Sequence, residues 1–187
     1  MPSSVRIERE TTILDAALAE MVVRGTHQIT MQDIALRCQM TRSAIYQYFS
    51  SVEHILAELV INEMADLVNE IDRHLVNVTD PLEKIRIWVH YSLAHLSTGE
   101  HAVIRNISAQ TLPETKRGII RALHQNFMQA LVDPVSQLGI DHPEASCHYI
   151  ASVINTAANR IDSGSAFVDE AHAVEAFIMQ ALSSRDI

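Results

Sequence analysis

Apolar residues recur with helical spacing along nearly the whole chain. Ile13, Leu14, Ala17, Leu18, Met21 and Val22 fall on one helical face, and Gly25 ends that segment. Thr30 stands as an N-cap with Asp33 three residues on, before the short apolar face of Ile34 and Ala35. Thr41 offers a second N-cap, leading into Arg42, Ser43, Ala44, Ile45, Tyr46, Gln47, Tyr48 and Phe49. Ser50 and Glu53 read as a capping box for a long fourth helix, whose stripe runs from Ile55 through Leu59, Met64, Leu67 and Ile71 to Leu75. Asp80-Pro81-Leu82-Glu83 combines a cap, a first-turn proline and an acidic third position, a strong helix start. Ser97-Thr98-Gly99 breaks the fifth helix, and a short sixth follows. Leu112-Pro113-Glu114, Asp141-His142-Pro143-Glu144 and Asp169 open three more, and Pro134 is expected to kink or end the seventh. The pattern predicts an all-α fold of about nine helices: three short ones, a long connector, then five.

Composition narrows the class. With 187 residues, the chain has room for one domain or a small one joined to a larger. The helix pattern divides it into residues 1–50 and 51–187. Hydrophobic residues make up 48% and charged ones 20%, a globular balance, and only five glycines and five prolines disfavour a strand-and-turn fold. Cys38 and Cys147 are too few for a disulfide framework, which predicts a reduced, cytoplasmic protein. The first ten residues carry Arg6, Glu8, Arg9 and Glu10 and do not read as a signal peptide. The longest uncharged run, Ala145 to Asn159, falls short of the about 20 residues of a membrane span.

The net charge of −9 argues against a general nucleic-acid coat, but its distribution matters. Residues 1–50 hold five arginines and five acids, so the whole excess of negative charge lies beyond them. Within that neutral segment, two short helices separated by about three residues have the spacing of a helix-turn-helix. Arg42, Ser43, Tyr46, Gln47 and Tyr48 are polar, while Ile45 and Phe49 form a stripe four residues apart. That is the division a helix needs if one face packs on a core and the other reads DNA.

Residues 10–60 resemble the DNA-binding domain of the TetR family of transcriptional regulators. The resemblance rests on Ile29 to Ala35, on Met40 to Phe49 with its Tyr-x-Tyr-Phe ending, and on Glu53 to Leu56. It implies that Thr30 and Gln32 lie against phosphates at the start of the second helix. It implies that Thr41 caps the recognition helix, and that Arg42 pairs with guanine. Ser43, Ala44 and Gln47 would face base edges, and Tyr46 and Tyr48 would set hydroxyls on phosphates. Three positions depart from the family pattern: Gln39 replaces a turn glycine, Val52 a phosphate-contacting lysine, and Thr26 an aromatic residue. Gln39 is therefore expected at positive φ, with some strain.

Other chemistry finds little support. The ten histidines include no pair at the four-residue spacing that sets two ligands on one helix face, so no metal site is expected. No nucleophile motif or glycine-rich phosphate loop is present, so no catalytic residue and no cofactor are expected either. A small-molecule effector would lie among helices four to eight. The candidates are large or polar residues on apolar helices: Trp88, Tyr91, His95, Arg105, His124, Phe127 and Asn155, with Asn106, Met128, Tyr149 and Asn159 behind them. The last two helices are rich in small and aliphatic residues, which read either as intramolecular core or, as the resemblance implies, as a two-fold bundle between subunits. With the resemblance, these features imply a homodimeric repressor, released from a palindromic double-stranded DNA operator when an effector in the C-terminal domain shifts the fourth helix. The competing prediction is a helical small-molecule binding protein whose N-terminal helices do not read DNA specifically.

Overall fold

The computed structural model describes residues 4–25, 28–97 and 99–183. The readings of Thr26, His27 and Thr98 lie outside the described residues, as does the His101 side chain. Among the described residues there are nine α-helices and no strand: α1 (Ser4–Arg24), α2 (Met31–Arg37), α3 (Arg42–Ile45), α4 (Val52–Leu75), α5 (Pro81–Leu96), α6 (Gly99–Arg105), α7 (Glu114–Gln137), α8 (Pro143–Asp162) and α9 (Phe167–Ser183). A single 3-10 turn at Ala109–Thr111 precedes α7. No helix of the described residues is long and apolar enough to cross a membrane.

The chain forms two compact units. The first takes residues 1–63 and 102–121, the second residues 64–101 and 122–187. The core of the first unit gathers Ile13, Ala17 and Met21 of α1, Ile34 and Ala35 of α2, Ile45 and Phe49, and Ile55 and Leu59 of α4, with Ile104 and Leu112 joining from far along the chain. α1 is much longer than its apolar stripe. Its first turns expose Val5 and Ile7 and are tied locally instead, by Arg6 to Glu10 at 2.8 Å and by the Thr11 and Thr12 hydroxyls bonding to carbonyls four residues back. Val22, placed on the stripe by its spacing, is exposed.

The predicted caps of α2, α3 and α5 form. The Asp80 carboxylate accepts from the Glu83 N–H at 3.1 Å, with Pro81 in the first turn. Three other boundaries differ from the sequence reading. α4 is capped by Ser51, whose Oγ accepts from the His54 N–H at 3.2 Å, so the cap falls one residue after Ser50. α7 runs through Pro134 to Gln137, so the proline does not end the helix there; lacking an N–H, it leaves out one bond to the carbonyl four residues back. α9 starts at Phe167, with Asp169 inside the first turn, where its charge meets the positive end of the helix dipole.

In the second unit α5 packs on α8 and α9, and those two pack on each other. Trp88, Leu93, Leu131, Ile154, Ala158, Val174 and Ile178 fill its core. Arg86 joins Glu175 at 2.6 Å, and Arg160 joins the buried Glu170 at 2.7 Å. The small and aliphatic residues Ile154, Ala157, Ala158, Val174 and Ile178 are thus intramolecular core, whereas Tyr149 of α8 and Val168 and Phe177 of α9 are exposed.

Candidate nucleic-acid interface

The site is built on two capped helix starts. The Thr30 N–H and hydroxyl both donate to the Asp33 carboxylate, at 3.0 and 2.6 Å, and the Thr30 Oγ1 accepts from the Asp33 N–H at 3.3 Å. The Thr30 hydroxyl, more than any other group, holds the Asp33 carboxyl below its ordinary pKa, and Arg24 adds to the effect from 3.1 Å. Thr41 caps α3 in the same way, accepting from the Ala44 N–H at 3.1 Å.

Between the two helices the backbone turns at Gln39, whose φ is +54°. The Met40 N–H reaches the Ala35 carbonyl at 2.9 Å and the Gln39 N–H the Leu36 carbonyl at 3.2 Å. These are the paired bonds of a left-handed helix ending, a position glycine usually fills. The expected positive φ is therefore present, on a residue with a full side chain.

α3 is a single α-helical turn. Turn bonds extend it, from the Gln47 N–H to Ala44 and from the Tyr48 and Phe49 N–H groups to Ile45. Ile45 and Phe49 are buried; Thr41, Arg42, Ser43, Tyr46 and Gln47 are exposed; Ala44 and Tyr48 are half-buried. Thr30 and Gln32 are exposed at the start of α2. Thr30, Gln32, Arg42 and Tyr46 line one groove of about 650 Å³. Ser51, Ser108 and Thr111 place further hydroxyls on that groove, and none of them was among the sequence candidates. Ser51 follows from shifting the cap by one residue. Ser108 and Thr111 carry no local signal, because only the folding of residues 102–121 into the first unit brings them near. Arg6 is a further neighbour, its guanidinium carbon 5.6 Å from the centre of the Tyr48 ring. Val52 packs against the core of the first unit.

The effector candidates separate. Trp88, Phe127 and His124 come together: the Trp88 and Phe127 rings are 4.5 Å apart, His124 lies 6.3 Å from Phe127, and the buried Trp88 N–H donates to the Phe127 carbonyl at 2.9 Å. Tyr91 stacks on His74 at 4.0 Å. His95 is half-buried, and desolvation lowers its pKa against the opposing pull of Asp66 and Glu70. Asn155 lies on the exposed side of α8, its amide donating to the Ala151 carbonyl at 2.9 Å. Arg105 closes α6 in the first unit, apart from the other six in sequence and in unit. The second unit has a groove of about 850 Å³ lined by Leu138, Ile140, Tyr149, Ile150, Phe177 and Leu182, and none of the seven candidates lines it.

Two capped helices joined by a tight turn, the second apolar inward and hydrogen-bonding outward, define a helix-turn-helix protein of the DNA-binding class. Residues 13–59 match the family model of the bacterial regulatory proteins of the tetR family. Among curated relatives, it is 28% identical to the HTH-type transcriptional regulator BetI of Agrobacterium fabrum over 130 residues, 66% of this chain. That match spans 63% of the relative, less than two thirds of its length. Among solved structures, FadR of Bacillus subtilis in complex with stearoyl-CoA has a TM-score of 0.76 at 18% identity, covering 90% of this chain and 96% of that one. AibR in complex with isovaleryl coenzyme A and operator DNA has a TM-score of 0.77 at 18% identity, covering 90% and 97%. At these identities the structures establish the shared fold.

Proposed function

We propose that the chain is a homodimeric, ligand-responsive transcriptional repressor that binds a palindromic operator and is released from it by a small-molecule effector. One observation carries the reading: the face of α3 directed away from the core presents Arg42, Ser43, Tyr46 and Gln47, all hydrogen-bonding groups and all exposed, while Ile45 and Phe49 anchor the helix from behind. One helix-turn-helix makes too few base contacts for useful specificity, and two related by symmetry read two half-sites. The exposed Tyr149, Val168 and Phe177 on α8 and α9 support dimerisation through the last two helices. Asn155 and Asn159 fit that same exposed side of α8 better than a ligand site.

The effector site belongs to the second unit, with Tyr91, His95, His124 and Phe127 as its candidates. An acyl thioester of coenzyme A is the effector class to test first, since two proteins of this fold are described with such ligands. Release requires that the effector bind the DNA-free state better than the DNA-bound one. α4 and α7 each supply residues to both units, which makes them the natural route for that coupling.

The test is selection of duplexes from a random-sequence pool with the purified chain, followed by titration of acyl-CoA thioesters of graded length into the complex. The expected product is a palindrome with half-sites about 34–36 Å apart, or wider by a further spacing. At least one thioester should dissociate it. Recovery of no preferred duplex would refute DNA reading. A complex stable to every thioester would refute that effector class.

A further inference from the structure

Base reading is assigned above to Arg42, a long side chain on an exposed helix with many rotamers, few of which aim at a base edge. The structure supplies something that selects among them. Arg42 opens α3 and Tyr46 closes it, so the two side chains share one face of a single helical turn. The Arg42 Nη2 donates to the Tyr46 hydroxyl oxygen at 3.0 Å, and the guanidinium carbon lies 5.5 Å from the centre of the Tyr46 ring. The ring face attracts the cation and the hydroxyl fixes its rotation. Because that hydroxyl accepts from Arg42, its own proton remains available to donate outward. The guanidinium keeps the other N–H donors of its fork for guanine.

We propose that Tyr46 is a positioning residue for base recognition, holding the Arg42 guanidinium in the orientation from which it reads a guanine. The resemblance gave Tyr46 a hydroxyl on a phosphate, a role that would affect every DNA sequence alike. The pairing with Arg42 instead ties Tyr46 to specificity. It also gives a reason for an aromatic residue at a position 44% exposed, where packing does not demand one. This inference rests on the reading of the chain as a sequence-specific DNA-binding protein.

The test is a double-mutant cycle on the full chain. The probes are the duplex recovered by selection with the wild type and a scrambled duplex of equal length. If Tyr46 positions Arg42, Tyr46→Ala should lower the preference for the selected duplex by nearly the same factor as Arg42→Ala, roughly 5- to 150-fold per half-site. The same change made on top of Arg42→Ala should alter the preference less than about twofold, because what it positions is gone. Tyr46→Phe, which keeps the ring and loses the hydroxyl, should fall between. The loss should concentrate at a guanine of each half-site when that base is varied. A readout without DNA is the side-chain Nε–H resonance of Arg42, which should move when the ring is removed.

Equal weakening on both duplexes, additive effects in the cycle, or an unmoved Arg42 resonance would each overturn the inference while leaving DNA reading intact. Failure of the selection to recover any preferred duplex would overturn both together.

Discussion

Replacing Gln39 by glycine should stabilise the helix-turn-helix. Gln39 holds φ at +54°, where a Cβ crowds the neighbouring carbonyl. For a residue with a side chain that conformation costs roughly 1–2 kcal/mol. Glycine adopts it without the clash but gives up about 0.5–1 kcal/mol more backbone entropy on folding. Gln39 is exposed, so its side chain contributes little packing to lose. The balance for Gln39→Gly is a gain of about 0.5–1 kcal/mol. For a chain of this size that raises Tm by roughly 1–4 °C. The assay is thermal and urea unfolding followed by circular dichroism, at one fixed protein concentration because the stability of the proposed dimer would depend on it. Gln39→Ala is the control: it keeps the Cβ and should gain nothing. His142, at φ +56° before α8, offers the same test in the second unit. A glycine variant no more stable than wild type, or an alanine variant that matches it, would refute the claim that the turn is held in the left-handed region against its side chain.

Three further outcomes are expected. Glu20 is 7% exposed and accepts from Arg24 at 2.8 Å and Arg37 at 2.6 Å, clamping α1 to α2, so Glu20→Ala should lower stability by about 1–3 kcal/mol in urea unfolding; a neutral result would show that the clamp contributes nothing. Desolvation lowers the His95 pKa from its ordinary 6.5, so the unfolded chain binds the extra proton first and stability should fall as pH drops through about 6.5; His95→Gln should flatten that fall, and an unchanged pH profile would contradict it. Arg6, Arg24 and Arg37 are engaged by Glu10, Glu20 and Asp33, which leaves hydroxyls and helix starts to carry much of the backbone contact. The plot of log affinity against log salt should then have a slope of about −4 or shallower for a dimer, and one near −8 would show arginines reaching phosphates in a way the free structure does not display.

The caps made the helix-turn-helix legible. Thr30 with Asp33, Thr41, and Asp80 with Pro81 are local devices: their bonds close within four residues, so the sequence states them directly. Gln39 was legible only through the resemblance, whose pattern has a turn glycine at that position. The start of α1 was not, because its first turns bury nothing and leave no apolar stripe. The Ser51 cap was missed by one position because Ser50 and Ser51 offer the same hydroxyl and only the backbone decides between them. The pairing of Arg42 with Tyr46 was present as a four-residue spacing but was read as two separate DNA contacts. Ser108 and Thr111 could not be found locally, since their neighbours lie more than fifty residues away. The effector candidates illustrate the same limit. Large residues on apolar helices identify a helical interior, but nothing local distinguishes Trp88, which is closed into the core, from Phe127 and His124 beside it.

Arg42→Ala on the selected duplex tests the central claim most directly. The quantity is the ratio of affinities for that duplex and its scrambled counterpart, measured for wild type and variant at one salt concentration. If α3 reads bases through Arg42, the ratio should fall roughly 5- to 150-fold per half-site while binding to the scrambled duplex changes little. An unchanged ratio, with both affinities intact or both reduced alike, would contradict the account.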